Sequence, residues 1–130
     1  NAYNPVNGVN EADVSTAGEP YAVNLSGTVD LTPGATYTLS FDVSGGARTL
    51  VAGIGLSGAP WHNNTETVHV SAISQTIVMH LTAKANGTGP EEFGGATSRV
   101  IFDMGADTGA VKIDNVSLTA GHNGAVNLAV

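Results

Sequence analysis

Thr36-Tyr-Thr-Leu-Ser-Phe-Asp-Val43 alternates without a break: Tyr37, Leu39, Phe41 and Val43 are apolar, while Thr36, Thr38, Ser40 and Asp42 are polar. A period of two sends alternate side chains to opposite faces, so the segment reads as a strand with one face in a core and the other in water. Two further stretches repeat the pattern. Gln75-Thr-Ile-Val-Met-His-Leu-Thr82 turns Ile77, Met79 and Leu81 inward, and Arg99-Val-Ile-Phe-Asp-Met104 turns Val100, Phe102 and Met104 inward. Shorter runs predict strands at Glu11–Ser15, Tyr21–Leu25, Thr49–Leu56, Thr65–Val70 and Ala110–Leu118. Clusters of Gly, Pro, Asn and Ser punctuate them, as in Leu31-Thr-Pro-Gly34 and Val43-Ser-Gly-Gly46. About eight short strands without any helical period predict an all-β fold, a two-sheet antiparallel β-sandwich of jelly-roll type.

Two local features qualify this pattern. In Val111-Lys-Ile-Asp-Asn-Val-Ser-Leu118 the apolar phase of Val111 and Ile113 differs from that of Val116 and Leu118, which predicts a β-bulge at Asp114-Asn115. Lys84–Gly95, with its Asn-Gly and Gly-Pro pairs, is expected to be the longest surface loop.

The chain has 130 residues, enough for one hydrophobic core and too few for two comfortable ones. One domain is expected over 1–120, with 121–130 as a C-terminal extension. A start at Asn1 rather than Met is read as a module cut from a longer polypeptide. Only 12 % of residues are charged and the formal net charge is −7, so no basic stripe exists to meet phosphates or anionic lipid. Neither nucleic acid nor a membrane surface is expected as a partner. No apolar run approaches the length of a membrane-spanning helix. With no cysteine, a disulfide scaffold and thiolate metal sites are excluded.

The single tryptophan lies in Gly55-Leu-Ser-Gly-Ala-Pro-Trp-His-Asn-Asn64. A lone tryptophan is more often part of a core, but a Gly/Pro turn with His62, Asn63 and Asn64 following favours an open ring. A sugar has apolar C–H faces and a rim of hydroxyls, and an exposed aromatic plane beside hydrogen-bonding side chains matches both. In Val51-Ala-Gly-Ile-Gly-Leu-Ser57 the set Val51, Gly53, Gly55 and Ser57 shares one face, opposite Leu50, Ala52, Ile54 and Leu56. Two glycines on that face predict the floor of a groove on one sheet, a close strand contact being the alternative reading. Arg99 and Asp103 lie opposite the core-facing set of their strand, where Arg99 can donate in a fork and Asp103 can accept; a solvated ion pair is the alternative.

Catalysis is not expected. Glycoside hydrolysis uses two facing carboxylates about 5 to 10 Å apart, and Asp103 is the one acid predicted inside the groove. No Gly-x-Ser-x-Gly or His-Glu-x-x-His pattern occurs. His69 and His80 could approach one another but lack a third ligand.

Pro33-Gly-Ala-Thr-Tyr-Thr-Leu-Ser-Phe-Asp42, together with Arg99-Val-Ile-Phe-Asp-Met-Gly-Ala-Asp-Thr-Gly-Ala-Val-Lys-Ile-Asp-Asn-Val-Ser-Leu118, resembles the paired signature of carbohydrate-binding module family 4 and its relatives of families 9, 16 and 22. The resemblance runs from about Tyr21 to Leu118. Tyr21-Ala-Val-Asn-Leu25 and Gly58-Ala-Pro-Trp61 are similar to modules that accompany β-1,3-glucanases, which implies laminarin as ligand. It implies stacking by Trp61, hydrogen bonding by Arg99, Asp103 and Asn24, and a polar contribution from Ser57, His62 and Asn63 beside Gly53 and Gly55. Tyr21 and Tyr3 are candidates for a second stacking plane. Asp114, in Ile-Asp-Asn-Val, matches a position that holds a structural Ca²⁺ in the family. The upstream "N-G-x-F" and "G-W" elements of the family are absent, so the first strand is expected to be trimmed or diverged. The resemblance further implies a secreted or cell-surface bacterial protein with a covalently linked glycoside hydrolase. Xylan or amorphous cellulose as ligand, or a purely structural spacer, are the alternatives.

Overall fold

A computed structural model describes residues 2–6, 9–85 and 91–120. Among these residues the chain forms nine strands: β1 (Ala2–Val6), β2 (Val9–Val14), β3 (Asn24–Leu31), β4 (Thr36–Gly45), β5 (Arg48–Leu56), β6 (Asn63–Val70), β7 (Gln75–Thr82), β8 (Gly95–Asp103) and β9 (Gly109–Ala120). They build two antiparallel sheets, ordered β1-β2-β9-β4-β7 and β3-β8-β5-β6. The result is the β-sandwich that the alternating segments predict.

The core lies where the period-two pattern places it. Tyr37, Leu39, Phe41 and Val43 of β4, Met79 and Leu81 of β7, and Val100 and Phe102 of β8 are buried, joined by Met104 just beyond β8. Ile77 is half-buried and packs against them. Phe41 of one sheet meets Phe102 of the other edge to face, with centroids 4.9 Å apart. Such a pair stabilises by about 1 kcal/mol beyond the area it buries.

Three expectations need correction. The strand predicted at Tyr21–Leu25 splits: Pro20–Ala22 forms a 3₁₀ turn and the strand begins at Asn24, running on to Leu31. Pro20 fixes its own φ and supplies no N–H for a sheet ladder, so the chain enters the strand only after it. Second, β1 adds a strand that the sequence did not announce, paired with β2. Third, the predicted surface loop after β7 is anchored. The backbones of Lys84 and Glu92 pair in a short antiparallel bridge, and the backbone N–H of Phe93 donates to the Ala83 carbonyl at 3.1 Å, which seats Phe93 in the core. Residues 86–90 of that loop and the extension 121–130 lie outside the described residues.

The bulge in β9 is present. Asp42 faces Asp114 and Ser40 faces Ser117, so Asn115 and Val116 together oppose Phe41. Asn115 takes a left-handed conformation (φ 52°), Leu118 rejoins the core and Val116 is left exposed. Asn is among the residues that tolerate this conformation best.

Arg48, at the start of β5, is a buried cation that the sequence reading did not single out. Its Nε donates to the Thr49 carbonyl at 3.0 Å, Nη1 to Gly109 at 2.9 Å and Nη2 to Met104 at 2.5 Å. Burial pushes its pKa down, opposed by the Asp107 carboxylate. Asp107 in turn accepts the backbone N–H groups of Thr49 and Thr108, and these hold its carboxyl below the ordinary range. Asp42 is also lowered, by the Asn115 side-chain amide at 2.7 Å and then by the Thr76 hydroxyl at 2.6 Å.

Both carboxylates are depressed on folding, so the unfolded chain binds the extra protons, and stability rises with pH through the window just below the ordinary carboxylate range. Their contribution is complete above about pH 5 and is lost as pH falls through the folded pKa values. Asp107→Asn is expected to flatten the acid limb of a Tm-against-pH profile while lowering Tm at neutral pH, as differential scanning calorimetry would show.

Candidate functional site

The outer face of the four-stranded sheet is a grid set by the register. Asn24, Asp103, Val51 and Thr67 form one row; Ser26, Ile101, Gly53 and Thr65 the next; Thr28, Arg99, Gly55 and Asn63 the third. Opposed residues in an antiparallel sheet share a face, so Arg99 and Asp103 stand on the same side as Asn24 and Asn63. Above this grid opens a groove of about 670 Å³, lined by Tyr21, Asn24, Leu56, Trp61, Asn63, Thr65, Arg99, Ile101 and Asp103.

Trp61 stands at one end on the turn after β5, 56 % exposed. Its backbone is left-handed (φ 62°), a conformation that costs a bulky residue roughly 1–2 kcal/mol. Hydrogen bonds on both sides hold it there. The Trp61 N–H donates to the Gly58 carbonyl at 2.9 Å, the Asn63 amide donates to the Trp61 carbonyl at 3.1 Å, and the Leu56 N–H donates to the His62 carbonyl at 2.8 Å. A strained backbone that is pinned this thoroughly marks a residue whose presentation matters.

The guanidinium carbon of Arg99 lies 5.9 Å from the centre of the Trp61 ring. Arg99 Nε donates to the Leu56 carbonyl at 3.2 Å and Nη1 reaches the Asn24 side-chain oxygen at 3.4 Å. The Asn24 amide nitrogen donates to Asp103 Oδ1 at 2.5 Å. A continuous polar line therefore runs along the groove from the indole through Arg99 and Asn24 to Asp103. Tyr21 is 68 % exposed and also lines the groove, so it is a second open aromatic and not part of the core.

Several predicted site residues do not line the groove. Gly53 and Gly55 are buried and do not line the groove. A Cβ on Gly53 would land on the Asn64 carbonyl and lie 2.7 Å from Thr65 Cα, so this glycine permits β5 and β6 to approach each other. A Cβ on Gly55 would meet Asn63 Cβ and Ile101 Cδ1, each at 2.8 Å. The close-contact reading of the glycines is thus the right one, and the Ile101 side chain lies where a Gly55 Cβ would stand. Gly53→Ala is expected to cost about 1–3 kcal/mol, read as a lowered denaturation midpoint, because its obstacle is backbone and cannot swing away.

Ser57 donates its hydroxyl to the Thr97 carbonyl and is not among the lining residues. His62 acts in the turn through its carbonyl and does not line the groove. Tyr3 falls in β1, and its side chain is outside the described residues. Leu56, Thr65 and Ile101 line the groove and were missed. Thr65 could have been found from the register, since it stands opposite Gly53, whereas Leu56 belongs by phase to the core side and joins the groove only at the end of its strand.

Asp114 lies on the other sheet, where it shares a depression of about 180 Å³ with Asp42 and Lys112. Its Oδ1 accepts the Asn115 N–H at 2.8 Å. A Ca²⁺ ion needs about six to eight oxygens. Both Asp42 oxygens already accept hydrogen bonds, the Lys112 ammonium is a near neighbour, and no group of three acidic or histidine side chains occurs among the described residues. The side-chain oxygens at this depression alone do not make up that number, and backbone carbonyls would have to supply the rest.

No family model matches the sequence, and a search of curated proteins finds no match. Solved structures do match. A CBM4 structure superposes with a TM-score of 0.72 at 20 % identity, over 92 % of this chain and 76 % of that one. The N-terminal cellulose-binding domain of Cellulomonas fimi β-1,4-glucanase C gives 0.65 at 20 % identity, over 88 % and 78 %. The family 11 carbohydrate-binding module of the cellulosomal cellulase Lic26A-Cel5E of Clostridium thermocellum gives 0.52 at 16 % identity, over 94 % and 84 %. The chain thus has the β-sandwich fold that carbohydrate-binding modules of several families share.

Proposed function

We propose that this chain is a non-catalytic carbohydrate-binding module that takes a single β-glucan chain, a β-1,3-glucan such as laminarin, into the groove over β3, β8, β5 and β6. The observation that carries the reading is Trp61: an open indole, held in an unfavourable backbone conformation at the mouth of a groove with an apolar floor and a polar line along it. Trp61 and Tyr21 offer flat surfaces to sugar C–H faces, and Arg99 and Asp103 offer donors and acceptors to hydroxyls. Among the described residues Asp103 is the one carboxylate lining the groove, and the usual two-acid hydrolysis needs a second.

The groove is open to water, so each hydrogen bond contributes only about 1 kcal/mol net, and affinity in the micromolar to millimolar range is expected. An affinity of this size is useful when the module is joined to a secreted glycoside hydrolase, where it raises the local concentration of enzyme at the polymer. Affinity electrophoresis tests this directly: the protein should be retarded in gels containing laminarin. Stronger retardation by xylan or amorphous cellulose would reassign the ligand, and migration unaffected by any of the three would make the domain a spacer.

A further inference from the structure

We propose that Asn24 is a positioning residue that holds Arg99 and Asp103 apart, so that the guanidinium stays beside Trp61. The inference rests on the proposed sugar-binding role for its consequence in affinity, but its structural half stands without ligand.

Arg99 and Asp103 are four positions apart on β8, roughly 13 Å along the strand. A long arginine side chain can bridge most of that span, and opposite charges on one face attract. Asn24 stands directly opposite Asp103 on the neighbouring strand. Its amide is used at both ends: Oδ1 accepts from Arg99 Nη1 and Nδ2 donates to Asp103 Oδ1. Each charge therefore finds a partner of the right polarity on a neutral group. Neither has to reach for the other, and the remaining guanidinium and carboxylate sites stay free toward the groove. The Leu56 carbonyl holds Nε at the far end, so Arg99 is stretched between two fixed acceptors with the indole beside it.

An amide is the side chain of this size that both donates and accepts without charge. Asn24→Asp replaces the donor toward Asp103 by a second carboxylate oxygen. The charged or titratable groups lining the groove are then Arg99 and Asp103 from β8, Tyr21 from the 3₁₀ turn and the new carboxylate from β3; β5 and β6 contribute Leu56, Asn63 and Thr65, which do not titrate. His69 of β6 lies opposite Thr49, beyond the lining. Two carboxylates in contact cannot both ionise cheaply, so one pKa rises. At high pH both are charged and draw Arg99 away from Trp61. At low pH the shared proton restores a donor between them and with it the wild-type arrangement.

The test uses the sole tryptophan as reporter. In ligand-free protein the emission of Asn24→Asp should differ from that of wild type at about pH 8 and coincide with it at about pH 4.5, the comparison cancelling the effect of His62, which stands beside Trp61 in both proteins. Calorimetric titration with laminarihexaose should show an affinity for Asn24→Asp about tenfold weaker at high pH, recovering as pH falls. Asn24→Ala should lose both readouts at every pH, and Asn24→Gln should retain them. Emission of Asn24→Asp that matches wild type across the whole range would overturn the proposal, as would an affinity loss equal at all pH values, which would make Asn24 a direct sugar contact. A wild type that binds no oligosaccharide, with the emission of Asn24→Asp still pH-dependent, would leave the spacer role intact and remove the sugar-binding reading instead.

Discussion

Trp61→Ala should abolish retardation in laminarin gels while leaving the thermal transition within about 3 °C of wild type. The size of the effect follows from what the ring offers. Covering roughly 100 Å² of aromatic surface with a sugar face is worth about 2–3 kcal/mol, and stacking adds about 1 kcal/mol more. Removing some 3 kcal/mol weakens binding more than a hundredfold, which carries a micromolar-to-millimolar ligand out of measurable range. Stability should be spared because the ring is more than half exposed and packs on Arg99 rather than in the core. Trp61→Gly sharpens the test. Glycine adopts a positive φ freely, so this variant relieves the backbone and should be no less stable than the alanine variant while binding equally poorly. A large drop in Tm with binding preserved would place the indole among the structural residues.

The second large effect is expected far from the groove. Arg48→Met should lower stability by about 3 kcal/mol in urea denaturation, with sugar affinity unchanged in the folded fraction. The guanidinium joins the start of β5 to the Met104 and Gly109 carbonyls on either side of the β8–β9 connection. Methionine fills similar volume but removes the donor to the buried Met104 carbonyl and to the part-buried Gly109 and Thr49 carbonyls. Asp107 loses its neighbouring cation at the same stroke. Arg48→Lys should lie between, since an ammonium keeps the charge but cannot reach three acceptors in a planar fork. A change of less than about 1 kcal/mol in Arg48→Met would show that water replaces the guanidinium without loss.

How much of this was legible in the sequence depends on whether the signal was local. The alternation in β4, β7 and β8 is a backbone-period signal, and the residues it sent inward are the core. The phase slip in β9 revealed its bulge for the same reason. Trp61, Arg99, Asp103 and Asn63 were found because polar or aromatic residues in turns and on the outer phase of a strand stand out against the pattern, Asn24 came from the family resemblance, and the structure gathers all five in one groove. What failed was inference about neighbours across strands. Gly53 and Gly55 look like an open floor in one strand, and only the register shows β6 and Ile101 taking up the space. Tyr21 does line the groove, but on a 3₁₀ turn that Pro20 begins and not on the strand expected to carry it. Arg48 carried no sequence signal, because a charged residue at a strand start reads as solvated until the distant Met104 and Gly109 carbonyls are brought to it.

The central claim is that the open indole and the groove beside it form one sugar-binding surface. Titration of the protein with laminari- and cello-oligosaccharides of increasing length, with heat and Trp61 emission recorded together, tests it most directly. Saturable heat with a matching change in emission, growing with chain length for the laminari series, is the predicted result. Heat that saturates while the emission stays constant, or neither signal with any oligosaccharide, would contradict the account.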